Sequence, residues 1–213
     1  MEVYLYPVHQ ALIAFPITAI LFTMPYMFIN YRKYGSVLIL RSIIWFSFIL
    51  YLQCAYYLVI LPLPDPAAVA DSTGPFMQLV PFHFVSEFLR GTSFDLSDLS
   101  TLLPALKETV VLQPFFNLFL TLPFGVYLAY YFQAKWKKEL LLSLLLSVFF
   151  EVTQLTGLYG FYARPYRLLD VDDLMLNTLG GMAGYFLSRY FTFFLPSRED
   201  MDKRAYKKGG QVS

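Results

Sequence analysis

Apolar residues run through this chain in long blocks separated by short polar breaks. A helix needs about 20 consecutive apolar residues to cross a bilayer's hydrocarbon. Five blocks qualify: 11–29, 37–61, 109–132, 140–158 and 174–195. The pattern predicts an all-α polytopic membrane protein with five transmembrane helices, plus short interfacial helices in the long loop after the second. Residues 1–213 read as one membrane domain, closing in a basic tail over 196–213. The first block is preceded by no basic region, only Glu2 and His9, and no small-x-small cleavage site follows it. It therefore reads as a retained span rather than a secretory signal. Pro16, Pro25, Pro114 and Pro123 each remove a backbone donor and should kink the first and third helices.

Between the second and third blocks, residues 75–90 are rich in aromatics but too short to cross. That length suits an interfacial or re-entrant element. Leu96, Leu99, Leu102, Leu103 and Leu106 then recur at helical spacing. Basic residues orient membrane helices towards the cytoplasm. They cluster at Arg32, Lys33 and Arg41, at Lys135, Lys137 and Lys138, and at Arg198, Lys203, Arg204, Lys207 and Lys208. Five spans put all three clusters on one side, with the N-terminus outside and the C-terminus cytoplasmic. The loops 62–108 and 159–172 then face outward.

Composition agrees: 57% of residues are hydrophobic and 15% charged, outside the range of soluble domains. The partner expected first is the lipid bilayer. A net charge of +1 gives no basic field for nucleic acid. Cys54 has no second cysteine to pair with and no metal-ligand spacing around it, so it reads as a small buried apolar residue. His83, alone in an aromatic stretch, reads as structural.

Candidate chemistry concentrates between 151 and 184. Glu151 and Gln154 share a face of the fourth span. Glu151 lies roughly 16 Å along that helix from Leu140. Ionisable groups there are costly and tend to mark working sites. Arg164 and Arg167 in the following loop are the cations available to it. A structural ion pair and a binding or proton-transfer group both remain open. Asp170, Asp173, Asn177, Gly180 or Gly181, and Gly184 form one stripe if a helix begins near Asp170. Part of the Asp170, Asp172 and Asp173 cluster also fits a helix cap. Gly180 and Gly184 permit a close crossing, most simply against the fourth span. In the third span, Thr109, Gln113, Asn117, Thr121, Gly125 and Ala129 recur every four residues. They serve as a packing seam, or Gln113 and Asn117 among them line a polar cavity.

These residues resemble the VanZ-like family. Its pattern reads here as Glu151 and Gln154, then Arg167-Leu-Leu-Asp170-Val-Asp172-Asp173, then Asn177-Thr-Leu-Gly180-Gly181 and Gly184-Tyr185. Upstream, Asn117 with Pro123 and Gly125, and Leu79-Val-Pro81-Phe82, resemble two weaker motifs of the family. The resemblance implies a bacterial cytoplasmic-membrane protein acting near the cell envelope. Some members are associated with reduced susceptibility to glycopeptides, notably teicoplanin.

Three functions stay open at this point. The first is a binding protein for a polar or lipid-linked envelope molecule, such as a cell-wall precursor or a glycopeptide. Arg167 would pair an anionic group, and Asn117, Gln154 and Asn177 would hydrogen-bond the ligand. The second is an enzyme on a lipid-linked substrate, catalysing phosphoryl or glycosyl transfer or hydrolysis. Glu151 would act as general acid or base and Arg167 would stabilise developing charge. Asp170 and Asp173 would orient Arg167 or, with Asp172, hold a divalent cation. The third is a small transporter lined by the polar stripe. No nucleophile elbow, zinc motif or glycine-rich phosphate loop accompanies them.

Overall fold

A computed structural model describes residues 2–35, 38–95, 97–201 and 203. Val37, Leu96, Arg204, Lys207 and Lys208, used in the sequence reading, lie outside the described residues. The chain is mostly helical. In order, its elements are α1 (Glu2–Tyr34), α2 (Ile39–Ile60), α3 (Pro66–Ala70), β1 (Met77–Gln78), α4 (His83–Gly91), a short 3-10 turn (Leu99–Thr101) and α5 (Leu102–Ala105). There follow α6 (Thr109–Tyr130), α7 (Trp136–Leu155), α8 (Gly157–Gly160), β2 (Leu169–Asp170) and α9 (Val171–Phe191).

Among the described residues, three helices are long and apolar enough to cross a membrane: α1 over Leu5–Tyr34, α2 and α6. On α1, Ile13, Ile17, Ile20, Leu21 and Met24 stand exposed. So large an apolar surface in a soluble monomer would be an aggregation hazard, whereas lipid covers it without cost. The other two blocks also form helices of sufficient length, 20 residues in α7 and 21 in α9. They carry more charge: Lys137, Lys138, Glu139 and Glu151 on α7, and Asp172, Asp173 and Arg189 on α9.

The expected boundaries shift by a few residues. The first helix extends well beyond 11–29 at both ends and contains Pro7, Pro16 and Pro25. The helix expected over 96–106 is reduced to the 3-10 turn and the single turn of α5. Asp95, Asp98 and Glu108 break the pattern by accepting local hydrogen bonds from Ser97, Ser100 and Ser93. These bonds hold all three carboxyls below their usual range.

The chain divides into two compact units. The first takes residues 1–63, 126–134 and 186–213. Here α1 packs on α2, and aromatic side chains fill the contacts. Trp45 stacks on Tyr26 at 4.9 Å and Phe48 lies 5.2 Å from Phe132. The Tyr26 and Tyr131 hydroxyls share a hydrogen bond. Arg41, grouped by sequence with the first connection, is instead the third residue of α2 and is buried. Its guanidinium donates to the Tyr34 hydroxyl at 3.3 Å and lies over that ring, a setting that suits a weakly hydrated planar cation. Cys54 is half-buried rather than buried.

The second unit takes residues 64–125 and 135–185. It contains most of α6, all of α7 and most of α9. A two-residue parallel ladder pairs Met77 with Leu169 and Gln78 with Asp170. This ties the 62–108 segment to the start of α9. The glycines of α9 set the helix spacing. A Cβ on Gly180 would run into the Leu118 carbonyl and the Thr121 hydroxyl of α6. One on Gly184 would run into the Leu122 carbonyl. The close crossing expected against the fourth span is therefore made with α6 instead. Gly181 turns the other way, towards Ser143 of α7.

Candidate functional site

All the site residues belong to the second unit. On α7, Glu139, Ser143, Ser147 and Glu151 recur every four residues and form one face. All are buried, Glu151 at 4% exposure and the other three at 0%. On α9, Asp173 and Asn177 are four apart and point to the same side. The Asn177 amide donates to Ser147 Oγ at 3.1 Å, and Thr121 Oγ1 of α6 donates to the Asn177 carbonyl at 2.6 Å. The Asn117 amide of α6 donates to Asp173 Oδ1. Ser147 Oγ also reaches the Asp173 carbonyl at 3.4 Å. The three helices are thus joined by hydrogen bonds that include their own backbones.

The loop from α8 to β2 closes one end. The Asp170 backbone N–H donates to Glu151 Oε2 at 3.4 Å. Arg167 is exposed, and its charge acts on both Glu151 and Asp173. Arg164, the other cation considered for Glu151, donates to the Ser72 carbonyl at 2.8 Å instead. Gln154 is buried one turn beyond Glu151. Burial raises the Asp170 carboxyl above its usual range and pushes the Tyr166 hydroxyl up to about 12.

The three aspartates divide their work. Asp170 stands just before α9, and its Oδ1 accepts the Asp172 N–H at 2.8 Å, an N-cap arrangement. Asp172 is buried, and its two oxygens accept the Phe82 and Phe84 N–H groups at 2.6 and 2.9 Å. Asp173 faces Asn117. Among the described residues, no three His, Cys, Asp or Glu side chains are grouped as ligands for a metal ion. Of the three candidates for a divalent cation, Asp170, Asp172 and Asp173, Asp172 is committed to the backbone of the 62–108 segment.

A cavity of about 210 Å³ lies against this cluster, with Glu87, Thr109, Gln113, Asp170, Asp172 and Asp173 in its wall. The α6 stripe divides between the seam and the cavity, and Asn117 falls on the seam rather than in the cavity wall. Asn117, Thr121 and Gly125 form the seam with α9, while Thr109 and Gln113 line the cavity. His83 opens α4 and pairs with Glu87 at 3.6 Å. Several members of the cluster escaped the sequence reading: Glu139, Ser143 and Ser147 on α7, Gln78 beside Asp170, and Glu87. The four-residue recurrence of Glu139, Ser143, Ser147 and Glu151 in a leucine-rich helix was the signal for the first three.

Three membrane-length apolar helices and a buried polar cluster define a helical integral membrane protein. Residues 48–194 match the family model described as VanZ/LLP1, and the chain belongs to that family. The match contains every residue of the cluster. No curated protein and no solved structure matches the chain.

Proposed function

We propose that the chain is a cell-envelope protein of the bacterial cytoplasmic membrane whose polar cavity binds a polar or lipid-linked envelope molecule. The observation that carries this reading is that Asp173, hydrogen-bonded by Asn117 and acted on by the charge of Arg167, stands in the wall of a 210 Å³ cavity. Binding sites combine a concave space with a few fixed polar groups in this way. Asn117 and Asn177 are held by their partners, and exposed Arg167 acts on Asp173 in the cavity wall. A link to glycopeptide susceptibility, with teicoplanin as the first compound to examine, follows from the family pattern.

In this reading all five long helices cross the bilayer. Helices α7 and α9 are each about 30 Å long at 1.5 Å per residue, the thickness of the hydrocarbon. Most of their charges sit near the ends, where long side chains reach the interface. The basic clusters then place the N-terminus outside, the C-terminus in the cytoplasm and the cavity facing outward.

A membrane-embedded enzyme is the second reading, favoured by two carboxylates and a guanidinium acting on one another. Glu151 would move a proton, Arg167 would stabilise charge, and Asp170 and Asp173 would position it. The two readings separate on Glu151→Gln. A binder loses its ligand without any turnover being detectable in the wild type. An enzyme keeps the ligand and loses turnover. Mass spectrometry of molecules co-purifying with the wild type, but not with Arg167→Ala or Asn117→Leu, tests the binding reading. A wild type carrying only bulk membrane lipid contradicts it.

A further inference from the structure

The polar cavity has an apolar neighbour. A second cavity of about 290 Å³ is lined only by apolar side chains, among them Val85, Phe88, Leu106 and Leu118. Phe84, Val110, Pro114 and Leu176 belong to the walls of both. The two chambers therefore sit side by side along α4, α6 and α9, one oily and one polar.

The polar chamber has a definite sign. Glu87, Asp170, Asp172 and Asp173 stand in its wall, and no basic side chain does among its described residues. The neighbouring basic groups are Arg167, whose charge acts on Asp173, and His83, 3.6 Å from Glu87. They leave the carboxylates in excess. A wall of this sign is complemented by a cationic group. An apolar slot beside a negative chamber matches a molecule with an oily tail and a cationic head.

We infer that the paired chambers bind a membrane amphiphile, its hydrocarbon tail lying between α4 and α6 and its protonated amine head among Glu87, Asp170 and Asp173. The inference rests on the binding reading above and names the ligand class for the same site. The head meets Glu87 at the exposed rim and Asp173 deeper in. The tail passes the shared wall at Phe84 and Pro114.

The test uses the full chain in phosphatidylcholine nanodiscs, with dodecylamine as probe. Dodecanoate, which has an anionic head on a similar tail, and butylamine, which has the head without the tail, are the controls. Dodecylamine should bind at least about tenfold more tightly than either. Glu87→Gln should weaken dodecylamine about tenfold and leave dodecanoate unchanged, and Val85→Trp should weaken dodecylamine by filling the apolar slot. Two variants on α4, away from the α6–α9 seam, guard against misfolding, and an unchanged thermal transition confirms it. Equal binding of dodecanoate and dodecylamine, or no effect of either variant, overturns the inference. If the wild type co-purifies with a discrete anionic or neutral envelope molecule, the binding reading stands and the amine proposal alone fails. If it co-purifies with nothing and binds no probe, both fail.

Discussion

Asp172 shows how little of a residue's role resides in its own neighbourhood in sequence. Its carboxylate accepts two amides from about ninety positions upstream, so it fastens α4 to the start of α9. Replacing one oxygen with an NH2 group sets a donor against an N–H. Asp172→Asn should cost about 1–3 kcal/mol, read as a lower thermal transition in detergent. An unchanged transition would mean the amides find other acceptors. Gly157 is a second such residue. Its φ is +59°, and a Cβ there would meet the Arg164 and Tyr162 carbonyls at 2.7 Å. Gly157→Ala should destabilise the loop that carries Arg167, by about 1–3 kcal/mol, visible as faster proteolysis between 156 and 170. At this scale the sequence was legible where a charge stands inside an apolar run, as at Glu151, or where spacing places side chains on one face, as at Asp173 and Asn177. It did not give the partners of Asp172 and Gln78, which are fixed only once the 62–108 segment folds back onto α9.

At the scale of elements, the seam between α6 and α9 organises the second unit. Gly180 and Gly184 face backbone carbonyls of α6, and Thr121 bonds across to the Asn177 carbonyl. Small residues let membrane helices approach, and the hydrogen bonds between them are individually modest. Thr121→Val should therefore cost only about 0.6–1.7 kcal/mol. Gly184→Leu should prevent the crossing and abolish a cooperative thermal transition. Equal effects of the two variants would contradict the seam. The Gly-x-x-x-Gly pattern showed that a close crossing exists but not with which helix. The pattern records the absence of a side chain, and both α6 and α7 offer small or polar faces. Thr121 and Gly125 on one side and Ser143 on the other divide the three glycines between them.

Over the whole molecule, the hydropathy pattern gave the five long helices to within a few residues, except at the first, which is longer at both ends. It gave the 62–108 segment less well, because single turns such as α5 are set by local polar bonds rather than by periodicity. The proposed five-span arrangement makes a direct prediction. In a Cys54→Ser background, a cysteine at Ser97 should react with a membrane-impermeant maleimide on intact cells. One at Ser197 should react only after permeabilisation. The reverse result would invert the protein and turn the cavity inward.

The central claim is that the cavity beside Asp173 holds one kind of envelope molecule. A photoreactive benzophenone amino acid in place of Gln113, in the cavity wall, tests it against the same group in place of exposed Leu21 on α1. Irradiated in cells and analysed intact by mass spectrometry, the Gln113 protein should carry a single discrete adduct. The Leu21 protein should carry the spread of bulk lipids. The same spread at both positions, or no adduct at Gln113, would contradict the account.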